Sequence, residues 1–398
     1  MHAHHQHGPP RPGQRDIRAV TLAIIIPLGA VIAVAMLWLW PFHGHAADVP
    51  QGPPRVDGTV TALHRVPCDQ APADQQPPLG AQAGPNGCGT ATVRLTAGTA
   101  TGTDVTVRLP NGPTAPVLAA GDEVVLTVSA GPAYQIQDAR RGGQLWALGI
   151  AFALAVIAFG RWSGVGALAG LAVTFAVLLL FVVPAILAGK PPLAVAIVGS
   201  AAIMLTVLYI THGLHASTSV AVAGTLASLI LTGVLSSIAV TAMHLTGVTD
   251  DSDSYLATVY HVNMPGLLLA GILIGSLGVL DDVTVTQAAT VEELAHANPS
   301  YSSRQLYRAA TRVGRAHIAS VINTIILAYA GASLPLLVLI AAGNQPLGQV
   351  LTDQIIAQEV VRSLIGTLGL IAAVPITTGL AAFTARHPLT RPGARSAH

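Results

Sequence analysis

Apolar runs bounded by charged residues or by Gly and Pro recur along most of this chain. They fall approximately at residues 19–40, 145–159, 164–188, 193–210, 219–243, 265–283, 318–342 and 360–384. A hydrocarbon core roughly 30 Å thick takes about 20 apolar residues to cross as a helix, so the pattern predicts about eight transmembrane helices, the second and fourth of them short. Between residues 41 and 141 the pattern changes to short alternations rich in Thr, Val, Gly and Pro, which predict strands at 58–63, 91–95, 104–109, 124–128 and 133–136. Asn111-Gly112 and Gly121-Asp122 punctuate them as turns. The expected fold class is an all-α polytopic integral membrane protein with a small extracytoplasmic β-rich domain, for which five short strands suggest an OB-like barrel.

Composition agrees with a bilayer setting. With 52% hydrophobic and 9% charged residues, too little polar surface exists to cover a soluble globule of 398 residues. Charge then orients the spans. Placing both termini in the cytoplasm puts Arg15, Arg18, Arg161, Arg304, Arg308, Arg312, Arg315 and Arg386 on that side and leaves Lys190 in a short outer loop, with Arg362 at the edge of the last span. The resulting division is a disordered His/Pro-rich cytoplasmic tail (1–18), an N-terminal anchor (19–40), the β domain (41–141), a multi-helix domain (145–384) with a cytoplasmic segment (284–317), and a cytoplasmic tail (385–398). The first run is longer than a signal-peptide core of about 7 to 15 residues and ends in Trp38 and Trp40, so it is taken as an uncleaved anchor, with cleavage near Ala46 or Ala47 as the alternative. A plasma membrane is the expected location.

Candidate chemistry concentrates in a polar cassette, residues 277–320, set between two apolar runs. A span counted from Pro265 meets Asp281 and Asp282 at its cytoplasmic boundary or slightly inside it. On a helix Asp281, Thr284 and Gln287 share one face while Asp282 and Thr286 lie on the adjacent one. Oxygen ligands of this kind suit a hard cation or a proton-accepting carboxylate; the alternative is that both aspartates sit in interfacial water and cap a following helix. Glu292 and Glu293 are expected on a solvated face. Ser302 and Gln305 form a capping-box pattern opening a second helix, on which Arg304, Arg308, Arg312 and Arg315 make a basic stripe, either facing anionic headgroups and the acids of the preceding helix or simply obeying the charge rule. His317, Asn323 and Thr324 then enter the next span, where polar groups face other helices or a cavity.

Cys68 and Cys88, the two cysteines of the chain, flank a Pro/Gln/Gly-rich loop and are expected to form a disulfide, a metal-binding or reactive thiol pair being the alternative. His2, His4, His5 and His7 form a run able to hold Zn²⁺, Ni²⁺ or Cu²⁺ through imidazole, or a flexible tail, and His43 and His45 pose the same choice. His244, Asp250, Asp251, Asp253 and His261 fall in one outer loop, as an acidic vestibule for cations or as a solvated loop.

The stretches 278–287 (GVLDDVTVTQ), 313–320 (VGRAHIAS) with Asn323, and 327–336 (LAYAGASLPL) closely resemble the YibE/F family of bacterial multi-pass membrane proteins, over about residues 55–384. Thr211-His212-Gly213-Leu214-His215 departs from the more basic link expected there. The resemblance implies a polytopic, transporter-like architecture and supplies no reaction. GxSxG, HExxH and GxxxxGK[ST] are all absent, so no enzyme activity and no cofactor is expected, although His317 with the aspartates leaves a membrane-embedded enzyme as a third reading. The expected partners are the lipid bilayer, a small ion or solute, and an extracytoplasmic protein, with no basic, aromatic patch for nucleic acid. The leading reading is a cation- or proton-coupled permease with its site at Asp281 and Asp282; the alternative is a non-transporting scaffold or export-assembly factor acting through the β domain.

Overall fold

A computed structural model describes residues 12–42, 53–72, 84–112, 115–128, 134–343 and 347–385. The His2 to His7 run, His43, His45 and Arg386 lie outside the described residues. The chain divides into two compact units, one of residues 48–158 and one of residues 1–47 and 159–398.

The smaller unit holds β1 (Arg55–Val66), β2 (Cys88–Leu95), β3 (Asp104–Arg108), β4 (Glu123–Val128) and β5 (Tyr134–Ala139) in one sheet of order β3-β2-β1-β4-β5, every pairing antiparallel. Shifts in register within β1 and between Val125 and Leu126 of β4 let the sheet curl into a half-barrel, and its edge strands β3 and β5 approach each other. The alternation predicted from sequence fills the concave side: Val60, Ala91, Val93, Leu95, Val107, Val124, Leu126 and Ile136 are buried together. Cys68 and Cys88 are disulfide-bonded, with Cα atoms 5.0 Å apart. Nearby, buried Asn86 donates to the Pro110 and Pro116 carbonyls and accepts from the Leu118 N–H, so one side chain replaces a missing stretch of ladder. On the outer surface the Arg94 guanidinium, 2.9 Å from both oxygens of Asp104, holds that carboxyl below the usual carboxylate range; Arg141 and the Ala139 N–H do the same for Asp138.

The larger unit is helical. Its elements are α1 (Pro12–Leu39), α2 (Gly142–Val177, which begins in the smaller unit), a π-helical segment Leu178–Val182, α3 (Val183–Leu187), α4 (Pro192–His212), α5 (Ala216–Ala242), α6 (Asp251–Val259), α7 (Met264–Ala297), α8 (Ser303–Ala332), α9 (Leu334–Ala342), α10 (Leu347–Thr352) and α11 (Gln354–Thr384). Among the described residues six helical stretches are long and apolar enough to cross a membrane, and Ile25–Leu39 is a shorter apolar one.

The helices differ from the predicted spans in three places, the first two for local reasons. The second and third apolar runs join into a single 46-residue stretch, Gly142–Leu187, interrupted at Arg161, whose φ of 51° breaks the helical path. The seventh run is divided after Ala332, because Pro335 near the start of α9 has no N–H to continue the ladder of α8. The sixth run does not end at the aspartate pair. With 34 residues, about 50 Å of helix, α7 continues through both of them to Ala297.

Helices α5, α7 and α11 pack against one another; α4 lies on α7, α1 on α4, and α8 on α11 and α7. Close contacts fix their directions. Thr225 meets Thr284, and Gly233 meets Leu273, so α5 and α7 are antiparallel. Gln287 bonds Thr378 while Gly366 faces Ser276, so α7 and α11 are parallel. Leu273, Leu277, Leu280, Val283, Leu229, Leu370, Ala373 and Val374 form the apolar part of this core.

Candidate functional site

Asp281 lies near the midpoint of α7, flanked along most of the helix by α5 and α11. The helical register divides the cassette into two faces. Thr284 and Gln287 are fully buried and Asp281 is half-buried on the same side, whereas Asp282 is exposed and Thr286 half-buried on the other. The two aspartates therefore do not converge. One oxygen of Asp281, Oδ1, is enclosed without a hydrogen-bond partner.

Around Asp281, Thr284 and Gln287 the neighbouring helices supply hydroxyls. Thr225 Oγ1 of α5 lies 2.6 Å from Thr284 Oγ1, and Thr284 also donates to the Asp281 carbonyl at 3.1 Å. Thr378 Oγ1 of α11 donates to Gln287 Oε1 at 2.9 Å, leaving Gln287 Nε2 buried and unpartnered; Thr377 Oγ1, on the preceding residue of α11, is also buried and unpartnered. Along α5, Thr225, Ser228, Thr232 and Ser236 repeat at three- and four-residue spacing, and each donates to the carbonyl four residues back at 2.7 to 2.9 Å. This internal bonding lets hydroxyls sit in an apolar bundle at little cost and leaves oxygen lone pairs turned to the interface. Because α5 and α7 are antiparallel, Ser228, one turn beyond Thr225, comes level with Asp281, one turn before Thr284.

Glycines make the close approach possible. A Cβ on Gly224 would meet Thr377 Oγ1, and one on Gly369 would meet Thr232 Oγ1. On α8, a Cβ at Gly314 would fall 2.6 Å from Gln287 Nε2 and 2.8 Å from Val374 Cγ1. Thr311 and His317 share that face of α8 at three-residue spacing from Gly314, and both Thr311 Oγ1 and His317 Nε2 are buried without a partner. The other α8 candidates are elsewhere: Asn323 and Thr324 are exposed, as are Arg304, Arg308, Arg312 and Arg315, which line the side opposite Leu306, Ala310, Gly314 and Ile318. The Ser302–Gln305 capping box is formed as predicted. Glu292 is half-buried and Glu293 exposed.

The acidic cluster between α5 and α7 is built differently. Asp250 caps α6 by accepting from the Asp253 N–H, Asp253 accepts from the Thr249 N–H and hydroxyl, and Asp353 caps α11 through the Ile355 N–H. Asp250, Asp251 and Asp353 line an open cleft with Thr246, Thr249 and Gln354; His244 and His261 are not part of its lining. Among the described residues no group of three or more His, Cys, Asp or Glu side chains is disposed to hold a metal ion.

Sequence reasoning reached Asp281, Thr284 and Gln287 but missed their partners Thr225 and Thr378, together with buried Thr377 and with Gly224, Gly314 and Gly369. The regular hydroxyl spacing on α5 was the available signal for its share. No signal tied Thr378 to a residue 91 positions earlier in the chain.

Long apolar helices burying a hydroxyl-rich layer around one mid-helix carboxylate define an integral membrane protein of the multi-span class. Within that class the chain belongs to the YibE/F family, because the family model described as YibE/F-like protein matches residues 148–387. The match covers the helices from α2 onward and leaves the β unit outside it, a narrower extent than the resemblance from residue 55. No curated protein and no solved structure matched the chain.

Proposed function

We propose that this protein is a membrane carrier in which Asp281 exchanges a proton, or takes part in holding a small hard cation, midway along the α5–α7–α11 bundle. The observation that supports this reading is the position of Asp281 on the buried side of α7 with a carboxylate oxygen that no protein group satisfies. A carboxylate on a membrane-spanning helix costs up to about 2.5 to 3.5 kcal/mol to insert, the most at the bilayer centre, so a buried one is expected to have a partner to meet. Thr284 and Gln287 on α7 and Thr225 and Ser228 on α5 are the supporting oxygen donors, His317 faces the same junction from α8, and Asp282 has no part in it. The full reading has about eight crossings, both termini in the cytoplasm of a bacterial cell and no enzymatic step. The β unit, outside, is of the OB type, a reading supported by its five-strand order with β1 central and by the approach of β3 to β5.

The test is flux of protons and of a panel of monovalent and divalent cations into proteoliposomes. Asp281→Asn abolishes flux and Asp282→Asn leaves it near wild type; equal losses from both variants, or flux that survives Asp281→Asn, defeat the assignment. A second reading is favoured by one observation, that the β unit has its own apolar core and lies outside the family match. On that reading the protein is a scaffold that binds an extracytoplasmic protein, and removal of residues 55–140 abolishes its role while Asp281→Asn spares it.

A further inference from the structure

A second group of polar side chains lies inside the helical unit, away from Asp281, on the first half of α11 and on α8. Gln358 of α11 is 1% exposed, and its Nε2 has no hydrogen-bond partner. One turn further, Arg362 is half-buried with Nε enclosed and unpartnered. Its Nη2 stands 3.6 Å from Glu359 Oε1, too long for a strong charge-assisted hydrogen bond. Tyr329 of α8 reaches across to the same place: its hydroxyl lies 3.2 Å from the position a Cβ on Gly275 of α7 would occupy, and it is within electrostatic reach of Arg362 and Glu359.

The balance of donors and acceptors at this junction is uneven. Arg362, Gln358 and Tyr329 bring guanidinium, carboxamide and phenol N–H and O–H groups, and Glu359 is the one carboxylate among these four. Buried donors left unmatched are costly, and Gln358 and Arg362, four residues apart, share a face of α11, so that an amide N–H and a guanidinium are spaced to offer paired hydrogen bonds to a carboxylate. Gly275, whose exposed face carries no side chain, keeps the space next to the Tyr329 hydroxyl free of bulk.

We infer that Gln358, Arg362 and Tyr329 form a binding site for the carboxylate group of a small solute, distinct from the Asp281 site. This rests on the carrier reading above in naming the cargo, a carboxylate-bearing solute, as separate from the proton or cation at Asp281. Gln358 and Arg362 hold the two carboxylate oxygens, Tyr329 donates from α8, and Glu359 keeps Arg362 oriented along α11.

Equilibrium binding tests the site without requiring transport. The thermal unfolding midpoint of the purified full-length protein is measured in detergent with increasing sodium formate or sodium acetate, at constant sodium and ionic strength balanced with chloride. The expected result is a saturable rise with either carboxylate, shifted to about tenfold or higher concentration by Gln358→Leu and by Arg362→Lys. Arg362→Lys preserves the charge beside Glu359 and Gln358→Leu leaves the ion pair intact, so neither variant depends on tolerating an unpaired acid in the bundle. Asp281→Asn retains the rise, whatever it does to flux, which separates failure of this site from failure of the carrier reading. Absence of a carboxylate-dependent rise in the wild type, an equal rise with chloride, unchanged concentration dependence in both variants, or loss of the rise in Asp281→Asn each overturns the inference.

Discussion

Gly369→Ala probes the contact that holds α11 against α5 and thereby frames the Asp281 layer. A Cβ at this position collides with Thr232 Oγ1 and comes within 3.3 Å of Thr232 Cβ. Thr232 cannot swing away freely, since its hydroxyl is bonded to the Ser228 carbonyl at 2.8 Å and the side chain is fully buried. One added methyl group must therefore part the helices or break that bond, and overpacking of this kind costs about 1 to 3 kcal/mol. Thr232→Ala alone removes the colliding oxygen and a methyl group, for a loss of about 1 kcal/mol. Combining the two relieves the clash, so the double variant should be more stable than the sum of the single losses by about 1 kcal/mol or more. The assay is reversible unfolding in mixed micelles, followed by helical circular dichroism, for wild type, both singles and the double. Additive losses, within about 0.5 kcal/mol, would refute the close approach of α5 and α11 at this level.

Other consequences can be measured on the same protein. Reducing the Cys68–Cys88 bond, which closes a separation of 20 residues, should lower the stability of the β unit by about 3 kcal/mol on the chain-entropy estimate, read as a shift in its unfolding transition with and without reductant; no shift would show that the loop is held by other contacts. Asp104 and Asp138 have folded carboxyl values below their unfolded ones, so their contribution is complete above about pH 4 and fades as pH falls through the lower folded values. Arg94→Gln should therefore narrow its stability difference from wild type on acidification, and a difference that widens toward low pH would contradict the pairing. Ser302→Ala removes the hydroxyl half of the α8 capping box, the bond from the Gln305 N–H, and should cost about 1 kcal/mol, detectable as faster amide exchange in the first turn of α8; unchanged exchange there would deny the cap a role.

Properties written locally were legible without a fold. Apolar run length marks the membrane helices, because the bilayer imposes a length and forbids unpaired backbone, and period-two alternation marks the β unit, because each strand buries every second residue. The capping box and the cysteine pair are equally local, the one within a single turn and the other within a single loop. Tertiary structure decided the rest. Hydropathy ended the sixth span at Asp281 and Asp282, yet α5 and α11 flank α7 well past them, so packing carries the helix on to Ala297 and places Asp281 near its middle. Which aspartate faces inward depends on which side of α7 meets those helices, and adjacent residues about 100° apart on a helix are separated by that choice alone. Thr225 and Thr378 join Thr284 and Gln287 from 59 and 91 residues away. Their hydrogen bonds are set by interhelical register at glycine contacts, which no window of sequence contains.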